Sequence, residues 1–251
     1  MSDNSTNLHQ TKLWKVLIQR RSVFFGLIIL FVIGFCAVFA PWITSIDPSA
    51  IAVRSRLLPP GAEHWLGTDE FGRDIFTRLI YAGRVSLTVG IGVAIISSFV
   101  GSIMGLVSGF FKRLDGPISR LVDAMMAFPD ILLAISLVAV LGGTVTNVII
   151  ALSIVYTPRI ARIVRASTLV IRELPYVEAS KALGIGTPTI LFSHILRNIM
   201  SPIIVQATFI FAHSMLSEAS LSFLGVGVNP STPTWGTMIS IGRQYIDVAS
   251  W

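Results

Sequence analysis

Five charge-poor apolar runs, each long enough to cross a bilayer, recur between residues 23 and 224, and they limit the fold more than any other feature. A hydrocarbon core takes about 17 to 25 helical residues. The runs cover residues 23–43, 85–110, 118–141, 145–164 and 199–224. In lipid only helices or closed barrels satisfy their own backbone, and the period-two alternation of a barrel is absent. The expected fold is therefore all-α, a polytopic transmembrane helix bundle. Composition agrees, with 53% hydrophobic and 13% charged residues against about 25% charged in soluble domains. The longest polar interval, 47–84, is too short for an enzyme domain.

The net charge of +6 reads as a topology signal rather than as a nucleic-acid surface. Lys12, Lys15, Arg20, Arg21, Lys112, Arg113, Arg120, Arg159, Arg162, Arg165, Arg172, Lys181 and Arg197 collect on one side. Arg54, Arg56, Arg73, Arg78, Arg84 and Arg243 fall on the other. The bias puts the first side in the cytoplasm, so residues 1–22 form a cytoplasmic N-terminal segment and the first run is a retained span rather than a cleaved signal. The tail from Gly225 to Trp251 is polar, and the chain reads as ending before a last helix.

Catalytic signatures are missing. There is no Gly-x-x-x-x-Gly-Lys-Ser/Thr phosphate loop, so ATP hydrolysis is not expected of this chain, and no His-Glu-x-x-His motif. Ser193-His194 and His213-Ser214 are sequence neighbours that point to different helix faces and suggest no working dyad. Cys36 stands alone in an apolar run, and His9 and His64 lack metal-ligand spacing, so neither a metal nor a cofactor is expected.

Three features inside the spans carry information. Gly101, Gly105 and Gly109 share one helical face and predict close helix packing, within the chain or against a partner, with pore lining as the alternative. Pro129 predicts a kink or break in the third span, and Asp130 beside it serves either a transport pathway or the capping of that break. Asp123 is expected to pair with Arg120 one turn earlier; Glu218 is a weaker intramembrane acid.

Between the fourth and fifth runs, Ala179, Ala182 and Leu183 fall on one face of a short amphipathic helix, with Glu178 and Lys181 off it. Gly184 and Gly186 end this helix, and Thr187 followed by Pro188 predicts an N-cap and a second short helix through Ile190, Leu191 and Ile195. From the residues alone, contact with lipid headgroups and contact with a protein remain equally open.

Glu178-Ala179-Ser180-(x3)-Gly184 resembles the Glu-Ala-Ala-x-x-x-Gly loop of permease subunits in bacterial ATP-binding-cassette importers. Leu66-Gly-Thr-Asp-Glu-Phe-Gly-Arg-Asp74, Arg78-Leu-Ile-Tyr81, Ala127-Phe-Pro129, Ala161-Arg-Ile-Val-Arg165, Ser220-Leu-Ser-Phe-Leu-Gly225 and Pro233-Thr-Trp-Gly236 resemble the C-type subunit of its dipeptide/oligopeptide/nickel branch. The resemblance implies a multi-pass protein of the bacterial inner membrane, with residues 23–251 as the importer transmembrane domain and a coupling loop at about 172–197. Glu178, Ala179, Ser180 and Gly184 would then engage one of two ATP-binding subunits, beside a second permease subunit and an extracytoplasmic solute-binding protein. Its implied cargo is peptides or a related solute such as a nickel chelate. Ser180 stands where the family has alanine, Arg197 where it usually has proline, and the family's sixth helix is expected after Trp251. Rival readings are an ion-coupled secondary transporter, supported by Asp130 and the Pro129 break, and a truncated, inactive permease.

Overall fold

The computed structural model describes residues 21–251, so His9, Lys12, Lys15 and Arg20, and with them most of the expected N-terminal segment, lie outside the described residues. The bundle is all-α: α1 (Arg21–Val38), α2 (Ala40–Ile43), α3 (Ile75–Phe110), α4 (Lys112–Met126), α5 (Asp130–Leu141), α6 (Val145–Ile171), α7 (Pro175–Ala182), α8 (Thr187–Phe223) and α9 (Trp235–Gly242). Four of these, α1, α3, α6 and α8, are long and apolar enough to cross a membrane, and α4 with α5 supplies a fifth as a bent pair.

The third expected span is the main correction. Residues 118–141 are not one helix: α4 and α5 meet at 92°. Pro129 has no N–H to continue a ladder, and its carbonyl instead accepts from the amides of Leu132 and Leu133 at 3.0 and 3.1 Å, starting α5 afresh. Three of the other spans are longer than hydropathy suggests, whereas the first, expected over 23–43, divides into α1 and the short α2. α3 begins ten residues before position 85 because Asp74 caps it, its carboxylate accepting from Thr77 N–H at 2.7 Å. The polar tail carries α9, closed by a reciprocal Thr234–Thr237 capping box.

α3 and α6 form the centre. A Cβ on Gly101 would come within 2.6 Å of Ile160, on Gly105 within 2.6 Å of Val164 and of the Ala161 carbonyl, and on Gly109 within 2.6 Å of Thr168. These three positions let the two backbones touch, and the packing expected of them lies within the chain. Val89, Val93, Leu152, Ile160 and Val164 fill the seam, and Ile199, Ile203 and Ile210 of α8 close it.

Candidate functional site

The segment after α6 builds a surface with two unlike sides. Pro175 at the start of α7 sets the helical φ without losing a needed donor, and Gly184 ends the helix at φ +76. The amides of Gly184 and Ile185 donate to the carbonyls of Lys181 and Ser180, both at 3.0 Å, which is the Schellman arrangement that favours glycine at this position. Val177 and Ser180 face inward and are buried. The Ser180 hydroxyl donates to the Tyr176 carbonyl at 2.8 Å, so serine in place of alanine leaves no unpaired polar atom. Glu178, Ala179, Ala182 and Leu183 face outward. Leu183 is 80% exposed, and Glu178 has no ion-pair partner among the described residues.

The inward side ties α7 to α8, and the flanking side chains reach the end of α3. Val177 belongs to the same apolar cluster as Ile190, Ile195 and Ile199 of α8. Asn198 donates to the Tyr176 hydroxyl at 3.2 Å, and the Tyr176 and His194 rings meet edge to face. The Lys181 ammonium lies 5.4 Å from the centre of the Phe110 ring at the end of α3. Arg172, just after α6, donates to the Gly109 carbonyl at 2.6 Å.

A separate second short helix is not present. Thr187 is the first helical residue rather than the cap, Gly186 takes the cap position, and no side chain caps there. The chain then passes through a π-helical stretch, Ile190–Leu196, directly into Arg197–Phe223. Arg197, which has the N–H a proline lacks, lets α8 continue unbroken.

The second constellation runs along α6. Arg159, Arg162 and Arg165 recur every three residues on one face, and each meets an acid of the bent pair: Asp130, Asp123 and Asp115 respectively. The distances are 2.6 Å for Arg162 with Asp123 and 2.8 Å for the second Arg165–Asp115 contact. Two expectations are corrected here. Asp123 pairs with Arg162 and not with Arg120, because tertiary approach of α6 outcompetes the local helical neighbour. Asp130 does have a partner, and its carboxylate goes to Arg159 rather than capping the break; Pro129 holds the cap position. The three-residue arginine spacing was legible in the sequence as a face, but its acidic partners were not.

Near the far end of α8, Glu218 is fully buried and accepts from Ser222 at 2.8 Å and from Ser86 of α3 at 3.3 Å. It is a packing carboxylate enclosed by hydroxyls, and its place in the transport route is not supported by any exposed face. His64, in the loop before α3, is half-buried, and its Nδ1 meets the Asp74 carboxylate at 2.9 Å.

Comparison with known proteins adds a family. Residues 97–249 match the family described as binding-protein-dependent transport system inner membrane component, and residues 11–60 match the N-terminal TM domain of oligopeptide transport permease C. A putative peptide transport system permease protein of Brucella suis is 48% identical over 235 residues, covering 94% of this chain and 79% of that protein. A dipeptide transport system permease protein of Alkalihalophilus pseudofirmus is 44% identical over 239 residues, covering 95% and 79%. A glutathione transport system permease protein of Pectobacterium atrosepticum is 37% identical over 250 residues, covering 98% and 83%.

Proposed function

The chain belongs to the family of binding-protein-dependent transport system inner membrane components and is a multi-pass permease of an ATP-binding-cassette importer, and from that premise we propose that its cargo is peptide and that α7 is the surface engaging a separate ATPase. The named relatives are permeases of peptide, dipeptide and glutathione transport systems, which is what supports a short peptide as cargo. Two ATP-binding subunits, a second permease subunit and a solute-binding protein complete the assembly in this reading. The charge bias supports a cytoplasmic N-terminus, which puts α7 on the cytoplasmic face where an ATPase can reach it.

The observation that carries the ATPase reading is the division of α7. Its inward side is held by the buried Val177 and Ser180, with the Tyr176 hydroxyl bonded to Asn198, while Leu183, Ala179, Ala182 and Glu178, which has no ion-pair partner among the described residues, are left outside. A lipid-embedded helix turns its apolar face to the headgroup boundary and keeps charge off it; here Ala179, Ala182 and Leu183 are exposed beside the Glu178 carboxylate, and that favours a protein contact. Nucleotide shifts the permease only if the ATPase contacts α7 differently in its two states. Because α7 is fixed to α8, which continues through its π-helical stretch and Pro202 to Phe223 over about 55 Å, a displacement of the loop is passed along α8 toward the opposite end of the bundle.

The test is a pull-down with uptake. Glu178→Lys or Gly184→Leu should release the ATPase and abolish transport while the permease still inserts; retained ATPase and normal uptake in both variants overturn the reading. Ion-coupled secondary transport rested on Asp130 and the Pro129 break; the pairing of Asp130 with Arg159 weakens the first of these, and the family assigned above does not favour it.

A further inference from the structure

The Asp130–Arg159 pair joins the start of α5 to a position inside the fourth apolar run, 145–164. Arg159 lies near the middle of α6, about 21 Å from Val145 and about 18 Å from Ile171 at 1.5 Å per residue. Yet the two side chains are 34% and 40% exposed. Charged side chains within an apolar span are costly and are normally turned to protein or to a water-filled cavity. Their surroundings are polar. The Arg159 guanidinium lies 5.3 Å from the centre of the Tyr156 ring, and the Tyr156 hydroxyl meets the Ser217 hydroxyl of α8 at 2.7 Å. One anion, one cationic fork, an aromatic face and two hydroxyls thus converge from α5, α6 and α8. The next pair, Arg162–Asp123, carries the same polar face one turn further and is more exposed still.

We propose that Asp130 and Arg159 form an intramembrane station that grips a zwitterionic peptide by both ends, Asp130 taking the α-ammonium and Arg159 the C-terminal carboxylate. This rests on the peptide reading above. In the empty protein each charge neutralises the other, so no bare ion is buried between cycles. A zwitterion brings the complementary pair and exchanges one set of charged hydrogen bonds for another. That exchange is close to balanced, which lets cargo leave again; a solute lacking either terminus leaves one protein charge unpaired, and a stranded partner is the costly state.

The experiment uses the whole importer in vesicles, with its binding protein saturated by each peptide so that capture does not enter. A free tripeptide, its N-acetylated form and its C-amidated form are compared in wild type, Asp130→Asn and Arg159→Gln. Wild type should move the free peptide about tenfold faster than either blocked form, the worth of one charged hydrogen bond. Asp130→Asn should lose the penalty for N-acetylation while keeping that for C-amidation, and Arg159→Gln the reverse. If each variant slows all three peptides by one common factor, the pair is a structural tie and the proposal fails; it fails also if neither variant alters the ratios. Where a variant does not reach wild-type membrane levels, Asp130→Glu or Arg159→Lys replaces it under the same criterion, a partial loss of the matching selectivity counting in favour and unchanged selectivity against. Vesicles whose wild-type importer moves none of the peptides above protein-free vesicles overturn the peptide reading itself, and the station with it.

Discussion

Leu183→Ala is the most informative single change at α7, because the structure assigns that side chain almost entirely to whatever docks there. Burying a leucine fully contributes about 1.5–3 kcal/mol. Leu183 is 80% exposed in the chain alone, so nearly all of that stabilisation is still to be gained on docking. Alanine keeps the Cβ, which leaves about 1–2 kcal/mol to lose, a five- to thirtyfold weaker complex. The assay is the dissociation constant of the ATPase subunit for the permease in nanodiscs, with the thermal midpoint of the permease recorded in parallel. The expected result is weaker ATPase binding at an unchanged midpoint. Val177→Ala supplies the contrast: Val177 is fully buried among Ile190, Ile195 and Ile199, so its truncation should cost about 2 kcal/mol of permease stability and affect binding only through that loss. An unchanged dissociation constant for Leu183→Ala would refute the reasoning, as would a fall in midpoint matching that of Val177→Ala.

Three further outcomes follow from the geometry. Gly105→Ala places a methyl 2.6 Å from both the Ala161 carbonyl and Val164 Cβ; overpacking of about 1–3 kcal/mol should exceed the helix-propensity gain of about 1 kcal/mol. Its denaturation midpoint should fall, whereas Gly34→Ala, with nothing within 4 Å, should hold or rise. Gly184→Ala must adopt φ +76 at a cost of about 1–2 kcal/mol, read as faster hydrogen exchange at the residue 184 and Ile185 amides, and Asn should be tolerated better. In the loop before α3, burial raises the Glu70 carboxyl above its ordinary range, despite the Arg73 guanidinium at 3.1 Å. Ionisation is then harder in the folded loop than in the unfolded chain, so the stabilisation is fullest below the ordinary carboxylate value and is lost as pH rises through the raised one. Amide protection in this loop should decline over that interval, and Glu70→Gln should flatten the profile.

The cytoplasmic-style segment shows how far local pattern reaches. Ala179, Ala182 and Leu183 were legible as one face and Gly184 as a stop, since both depend on helical periodicity and on backbone freedom. Which face turned inward was not: the three apolar residues stayed outside, and Val177 with Ser180 went in, because the grooves of α3 and α8 decide burial. Thr187-Pro188 carried a valid local signal for a new helix, and Arg197 made the continuation possible, yet only packing of Ile190, Ile195 and Ile199 against the core shows one continuous α8.

Charge pairing divides in the same way. Sequence alone determined an all-α membrane bundle, the break at Pro129 and the glycine face of α3, because hydropathy, a missing N–H and a four-residue spacing are properties of the chain itself. Tertiary structure decided that Asp130 meets Arg159 across 29 positions and Asp115 meets Arg165 across 50. Such partners are chosen by the approach of α6 to a pair of helices bent through 92°, and no local spacing encodes where that bend delivers its acids.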